Sequence, residues 1–346
     1  MAASNGVCTF LSDGPIIPGK EWLADLASLS PGLSRNGHVR LRMPLSSDAH
    51  TDRLDLDAVR AASRLYRAAG FHQAWTLHSG TCRPYVRDAT PDPSHYPNAP
   101  LGYNGDNLNN WYIEHLSLTA LSFLRQLGDD APDELFLFNE PNLHSVDMQP
   151  GDHCPPEDPN KGSALAPEVF GALLYQCARR LRGNIATKVI RPAPFSLLLS
   201  QHTDPRSDWF LGYWQRAIDY VRAMGGGDLV LDGVCLNCEG VVDSPSGAEY
   251  VAQAMRDVMA YGNWSGHLVI AECGAPAGNL NPPVLASSYS NLKGPMDYLY
   301  VFQHPVRIPG DLSGYGMTDY DYSPEGTFRP TRPTALKPFY TEQFAK

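Results

Sequence analysis

The sequence predicts an α/β fold, a (β/α)8 TIM barrel with long βα loops after strands 3, 4 and 8. Three observations predict it. Eight short runs rich in β-branched, aromatic and other apolar residues alternate with segments of helical spacing. No glycine-rich βα turn of the dinucleotide-binding type follows an early strand, which ranks an open doubly wound sheet second. The chain has 346 residues, against about 250 for an ordinary barrel, so the surplus falls in loops. Residues 1–346 are read as a single domain.

The predicted strands are 6–12, 38–45, 72–79, 134–140, 187–195, 229–237, 267–272 and 298–305. Two helices between them carry the clearest pattern. In 167–182, Phe170, Leu173, Leu174, Cys177 and Leu181 fall on one face. Pro167 suits its first turn, Arg179, Arg180 and Arg182 suit the negative end of its dipole, and Gly183 suits the position after its end. In 57–69, Val59, Ala62, Leu65, Tyr66 and Ala69 share a face, with Arg60, Arg64 and Arg67 on another. Further helices are predicted near 20–29, 115–127, 208–224, 247–261, 281–293 and 335–345. The long loops 80–112 and 141–166 follow the third and fourth strands, so both project from the C-terminal face, where barrels place their sites.

Composition excludes several classes. Hydrophobic residues make up 43% and charged residues 18%, which excludes a disordered chain. The formal net charge of −10 argues against nucleic acid as a partner, because phosphate binding relies on Lys and Arg. No run approaches the roughly 18 apolar residues of a membrane span. The first residues, MAASNGVCTFLSDGP, lack the basic and apolar regions of a secretory signal. The odd set of seven cysteines leaves the compartment open. Cys82 and Cys154 lie in loops of the same face, where an oxidising compartment would allow a bridge. Cys235 and Cys238 sit three apart on a predicted strand, so they point to opposite faces and do not form half of a zinc site. Asp147, Asp152, Glu157 and Asp158 lack the spacing of a calcium loop. No metal or cofactor is expected.

The most informative residues are two carboxylates at strand ends. Glu140 closes the apolar run ELFLF at the fourth strand, preceded by Asn139 and followed by Pro141. Glu272 closes HLVIAE at the seventh. A charge directly after a buried strand is costly unless it faces the barrel mouth and finds partners. Strands four and seven stand across that mouth, so the two carboxyl groups can meet over one ligand. Retaining glycoside hydrolysis needs such a pair: one carboxyl protonates the leaving oxygen, the other attacks the anomeric carbon, and the two lie about 5–5.5 Å apart.

On these residues the sequence resembles glycoside hydrolase clan A. The match is Phe138-Asn139-Glu140-Pro141-Asn142-Leu143 at strand four and Ile270-Ala271-Glu272-Cys273-Gly274 at strand seven. The resemblance implies that Glu140 is the acid/base and Glu272 the nucleophile. Arg42-Met43-Pro44 is similar to the Arg-apolar-Pro of cellulase-type families and implies that Arg42 supports the nucleophile. His78 stands where related enzymes carry a sugar-contacting His. The run Ser323 to Pro330 is similar to the turn after strand eight. Two places depart from the pattern: strand six reads Leu236-Asn237-Cys238-Glu239 where a His or Tyr is usual, and strand eight reads Val301-Phe302-Gln303-His304 where a Trp is common.

The expected activity is a retaining glycosidase cleaving β-glycosidic bonds in an oligo- or polysaccharide. Candidate substrate-binding residues are Asn139, Arg42, His78, Asn142, His144, Asn237, Glu239, Trp75, Trp111, Tyr315 and Gln303. Asn139 is placed to bond the hydroxyl beside the anomeric carbon. Glu239 also ends an apolar strand and is a rival partner for Glu140. Aromatic residues in the loops after strands three and eight suit a sugar cleft, because sugar rings present apolar C–H patches to aromatic faces. Two alternatives keep the fold: a non-catalytic carbohydrate-binding barrel, and a metal-dependent barrel hydrolase drawing on the eleven histidines.

Overall fold

The computed structural model describes residues 4–9, 20, 23–24, 38–44, 56–78, 111–142, 167–198, 205–206, 208–239, 242–274, 282–302, 318–322, 328–333 and 342. Nine strands form one sheet: β1 (Ser4–Thr9), β2 (His38–Pro44), β3 (His72–His78), β4 (Glu134–Leu137), β5 (Val189–Pro192), β6 (Phe195–Leu198), β7 (Gly233–Glu239), β8 (His267–Gly274) and β9 (Tyr298–Phe302). Every pairing in it is parallel. The order is β5-β4-β3-β2-β1-β9-β8-β7-β6. Its two ends, β5 and β6, are halves of one stretch of chain separated by Ala193 and Pro194. They occupy the place of the single fifth strand expected from the sequence, so β7 and β8 are the sixth and seventh strands of that reading.

Among the described residues, six helices with full ranges run between the strands: α1 (Leu56–Ala68), α2 (Trp111–Leu127), α3 (Pro167–Leu181), α4 (Tyr213–Ala223), α5 (Pro245–Gly262) and α6 (Pro282–Lys293). The α3 face read from the spacing is the face that packs, since Phe170, Leu173, Leu174, Cys177 and Leu181 are all buried. On α1, Val59, Ala62 and Tyr66 are buried, but Leu65 is exposed, and Ser63 takes the inner position instead. Ser63 satisfies its hydroxyl there by donating to the Asp130 carbonyl at 2.7 Å. The α1 arginines anchor it to the turn before β4: Arg64 forks onto the Asp130 carboxylate at 2.6 and 2.9 Å, and Arg67 reaches Asp133 at 3.1 Å. No helix is long and apolar enough among the described residues to cross a membrane.

The strand alternation sorts side chains into two layers. Trp75, Leu77, Leu135, Leu137, Val234, Leu236, Leu268, Ile270 and Leu299 pack with the helices in the large core. Ala74, Phe136, Cys235, Val269, Ala271 and Tyr300 form a second, smaller cluster on the other side of the sheet. Cys235 lies in the inner cluster and Cys238 in the helix-facing one, as their three-residue spacing requires. Cys8 lies in β1, whereas Cys82 and Cys154 fall outside the described residues.

Three expectations are corrected. Strand 229–237 starts at Gly233, because that residue has φ +129° and a Cβ there would lie 2.1 Å from the His267 carbonyl oxygen, so only glycine lets β7 enter beside β8. The helix expected near 115–127 begins at Trp111, so Trp111 opens a helix instead of ending a loop. The segment after strand eight contains an antiparallel hairpin, β10 (Thr318–Tyr322) with β11 (Phe328–Pro333), where a loop was expected.

Candidate active site

Glu140 owes its position to a broken strand. Alternation along β4 puts Glu134 and Phe136 on the inner side and Leu135 and Leu137 toward the helices. Phe138 should return to the inner side, yet it packs in the helix-facing core, because its backbone turns to φ +72°. Glu140 follows at φ +43°. Left-handed backbone costs a non-glycine residue roughly 1–2 kcal/mol. The segment is held by two main-chain bonds: Phe138 donates to the Leu77 carbonyl at 2.9 Å and Glu140 to the Pro194 carbonyl at 2.8 Å. Pro194 lies in the two-residue break between β5 and β6, and nothing in the sequence pattern marked it as a support for the site.

The Glu140 side chain is buried, at 6% exposure. A carboxyl so enclosed needs partners, and Asn237 provides one: its Nδ2 donates to Glu140 Oε1 at 2.9 Å. The same Nδ2 lies 3.4 Å from Asn139 Oδ1. Asn237 is on β7, and its register partner across the ladder is Glu272 on β8.

Glu272 also depends on an irregularity. By strict alternation it would share the side of Ile270, which packs with the helices. A bulge intervenes: Leu236 pairs with Ile270 but Asn237 pairs with Glu272, so Ala271 is an extra residue. The ladder to β9 shifts at the same place. Ala271 stays in the inner cluster and Cys273 lies in the helix-facing core, so the bulge resets the alternation and gives Glu272 the parity of Asn237. Glu272 is 3% exposed. Burial pushes the thiol of Cys273, in the helix-facing core, up to about 12, which keeps it protonated and unreactive.

Glu140, Asn139, Asn237 and Glu272 therefore gather at the C-terminal ends of β4, β7 and β8. The opposite ends of the strands hold a different charge cluster. Arg191 Nε and Nη2 lie 2.9 and 2.8 Å from Glu134 Oε2. His72 Nε2 is 3.2 Å from Glu134 Oε1, and Arg191 Nη1 donates to the Asp232 carbonyl at 2.9 Å. The guanidinium also sits over the Tyr298 ring at 5.1 Å.

The other residues singled out from the sequence fall into three groups. Asn142 lies half-buried in the turn after Glu140. Arg42 is in β2 opposite Thr76, His78 ends β3 opposite Pro44, Glu239 ends β7 opposite Gly274, and Trp111 begins α2. His144, Gln303 and Tyr315 lie outside the described residues. Trp75 is corrected: it is 1% exposed, packs in the helix-facing core and donates its indole N–H to Gln73 Oε1 at 3.3 Å. Its odd position between inward Ala74 and inward Thr76 turns it away from the site, so it is not a sugar platform.

No family model and no curated protein sequence matches the chain. Solved structures do match, and the class they share is the TIM-barrel glycosidase. A family 1 β-glucosidase from Thermotoga maritima is 13% identical at TM-score 0.59, with 98% of this chain and 96% of that chain covered. The virulence factor SghA from Agrobacterium tumefaciens is 14% identical at TM-score 0.56, with 99% and 97% covered. A family 39 glycoside hydrolase from Bacteroides cellulosilyticus is 12% identical at TM-score 0.55, with 99% of this chain and 64% of that chain covered. These neighbours are consistent with clan A glycosidases. At such identities the likeness is one of fold.

Proposed function

We propose that this chain is a retaining glycosidase that cleaves β-glycosidic bonds in an oligo- or polysaccharide, built as one catalytic domain on a sheet closed into a (β/α)8 barrel. The strand order supports closure, because its two ends belong to one stretch of chain. The observation that carries the function is the Asn237 bridge: it bonds Glu140 directly and stands in register with Glu272. Adjacent strands are about 4.8 Å apart, so both carboxyl groups lie within reach of one side chain, as a shared saccharide requires. The solved neighbours add to this. SghA has been captured with its substrate analogue salicin, and the T. maritima β-glucosidase with glucoimidazole.

In this reading Glu140 protonates the glycosidic oxygen while Glu272 attacks the anomeric carbon and forms a glycosyl-enzyme. Glu140, now ionised, takes a proton from water, which attacks the same carbon and releases Glu272. The reaction needs no cofactor. Asn139 bonds the hydroxyl next to the anomeric carbon, and Arg42 braces Glu272. Asn142, His78, His144, Glu239, Trp111, Tyr315 and Gln303 are assigned to saccharide contact by position or resemblance.

The test is turnover of a panel of nitrophenyl β-glycosides. Glu272→Ala loses activity, and azide restores it with a glycosyl azide of inverted anomeric configuration, seen by proton NMR. Wild-type-like turnover in Glu272→Ala, or a first-formed product of inverted configuration from the native enzyme, overturns the proposal.

A further inference from the structure

Asn237 is fully buried, and its amide is only half used. Nδ2 has two acceptors, Glu140 Oε1 at 2.9 Å and Asn139 Oδ1 at 3.4 Å. Oδ1 is buried and accepts no hydrogen bond among the described residues. A buried amide with an idle acceptor is worse for stability than an apolar side chain of its size. Packing therefore gives no reason for an asparagine here, whereas its neighbours on the inner side, Cys235 and Ala271, are apolar.

We infer that Asn237 is a positioning residue for Glu140: its amide N–H selects one orientation of the carboxyl group and favours the ionised over the protonated form. A hydrogen bond donated to a carboxylate lowers its proton affinity, whereas the burial of Glu140 raises it. The two effects oppose each other, so the amide tempers the rise that enclosure imposes. The amide is uncharged at all working pH values, so it adds no titrating group of its own. Among the described side chains, Glu272 on β8 is the carboxyl group at the same end and on the same side of the sheet, and Cys235 and Tyr300 are the titratable groups of the inner cluster nearer the other end. Glu134, Arg191 and His72 lie at the other end of the strands, and Cys238 lies in the helix-facing layer. The contact itself stands independently of the glycosidase reading; what it does for turnover rests on that reading.

The experiment follows the Glu140 carboxyl carbon by 13C NMR in glutamate-labelled protein, assigned by the resonance lost in Glu140→Gln. In Asn237→Ala and Asn237→Leu its titration midpoint moves up by about one pH unit. In Asn237→Asp it moves further, because a second carboxylate replaces the amide. The thermal midpoint of Asn237→Leu equals or exceeds that of the native protein, and Asn237→Ala carries the titration arm if the larger residue does not fold. A Glu140 midpoint that stays in place in the folded variants overturns the inference. Nitrophenyl β-glycoside kinetics separate the two claims. With both correct, Asn237→Ala lowers kcat and leaves KM in place. A moved midpoint together with turnover indifferent to Glu140→Gln and Glu272→Ala sustains the positioning role and sinks the glycosidase.

Discussion

Replacing Glu134 by glutamine removes the negative charge from a guanidinium that has no access to water. Arg191 is 0% exposed and Glu134 3%, and two guanidinium nitrogens approach the same carboxylate oxygen at 2.9 and 2.8 Å. Burial is the largest single effect on Arg191 and lowers its proton affinity, but Glu134, Cys235 and Tyr300 together outweigh burial and hold the group above its ordinary value. The variant must therefore bury a cation whose remaining support is the Asp232 carbonyl and the Tyr298 and Phe136 rings. Breaking a buried pair from one side costs about 3–5 kcal/mol. The neutral amide oxygen keeps a weak bond, so Glu134→Gln sits near the lower figure, about 3 kcal/mol. Removing both charges is different: Glu134→Leu with Arg191→Met leaves no unpaired ion, and its cost falls to about 1 kcal/mol or less. Urea unfolding at pH 7 followed by tryptophan fluorescence measures both. A loss below about 1 kcal/mol for Glu134→Gln, or a double variant as damaged as the single one, would refute the idea that this pair is desolvated.

Four other outcomes follow from the same geometry. Glu140→Gln slows alkyl glycosides far more than nitrophenyl ones, since good leaving groups need little protonation; equal losses would remove Glu140 from the acid role. Deleting Ala271 takes out the bulge, and Glu272, then directly after outward Ile270, keeps the inner side, so this variant retains turnover that Glu272→Ala abolishes; complete loss of activity on deletion would show that the bulge does more than set the side on which Glu272 lies. Gly233→Ala destabilises by several kcal/mol, because its Cβ meets the His267 backbone at 2.1 Å in a positive-φ conformation, and a urea midpoint close to native would contradict this. Burial, and then Arg191, depress the His267 pKa below its ordinary value of 6.5. The unfolded chain then binds the extra proton, so the stability that His267 contributes is fully present above about pH 6.5 and is lost as pH falls below it and through the lower folded-state value; His267→Gln flattens the unfolding midpoint between pH 7 and 5.

The order of elements was legible because alternation of apolar strands with amphipathic helices follows from local periodicity. Phe170, Leu173, Leu174, Cys177 and Leu181 pack as their spacing requires, and Glu140 and Glu272 are marked in the sequence by a charge that closes an apolar run. Trp75 has the residue type of a sugar platform, but the parity of its strand turns it into the helix-facing core. The hairpin of β10 and β11 was hidden by Pro330 and Pro333, which lower the strand signal even where edge pairing tolerates them.

Residue type and spacing thus account for the strand–helix succession and for the choice of two glutamates as the centre of interest. They do not account for the direction in which either glutamate points. Period-two alternation sends Glu272 to the helix layer with Ile270, and it keeps Phe138 on the inner side. Both assignments are reversed by local departures, the left-handed turn at Phe138 and the extra residue at Ala271. Such departures cost free energy where they occur and are held by contacts distant in the chain: the Leu77 and Pro194 carbonyls for one, the ladders to β7 and β9 for the other. A local window of sequence contains none of these partners, so the hydrogen bond of Asn237 to Glu140 and its register with Glu272 had to come from the packed sheet.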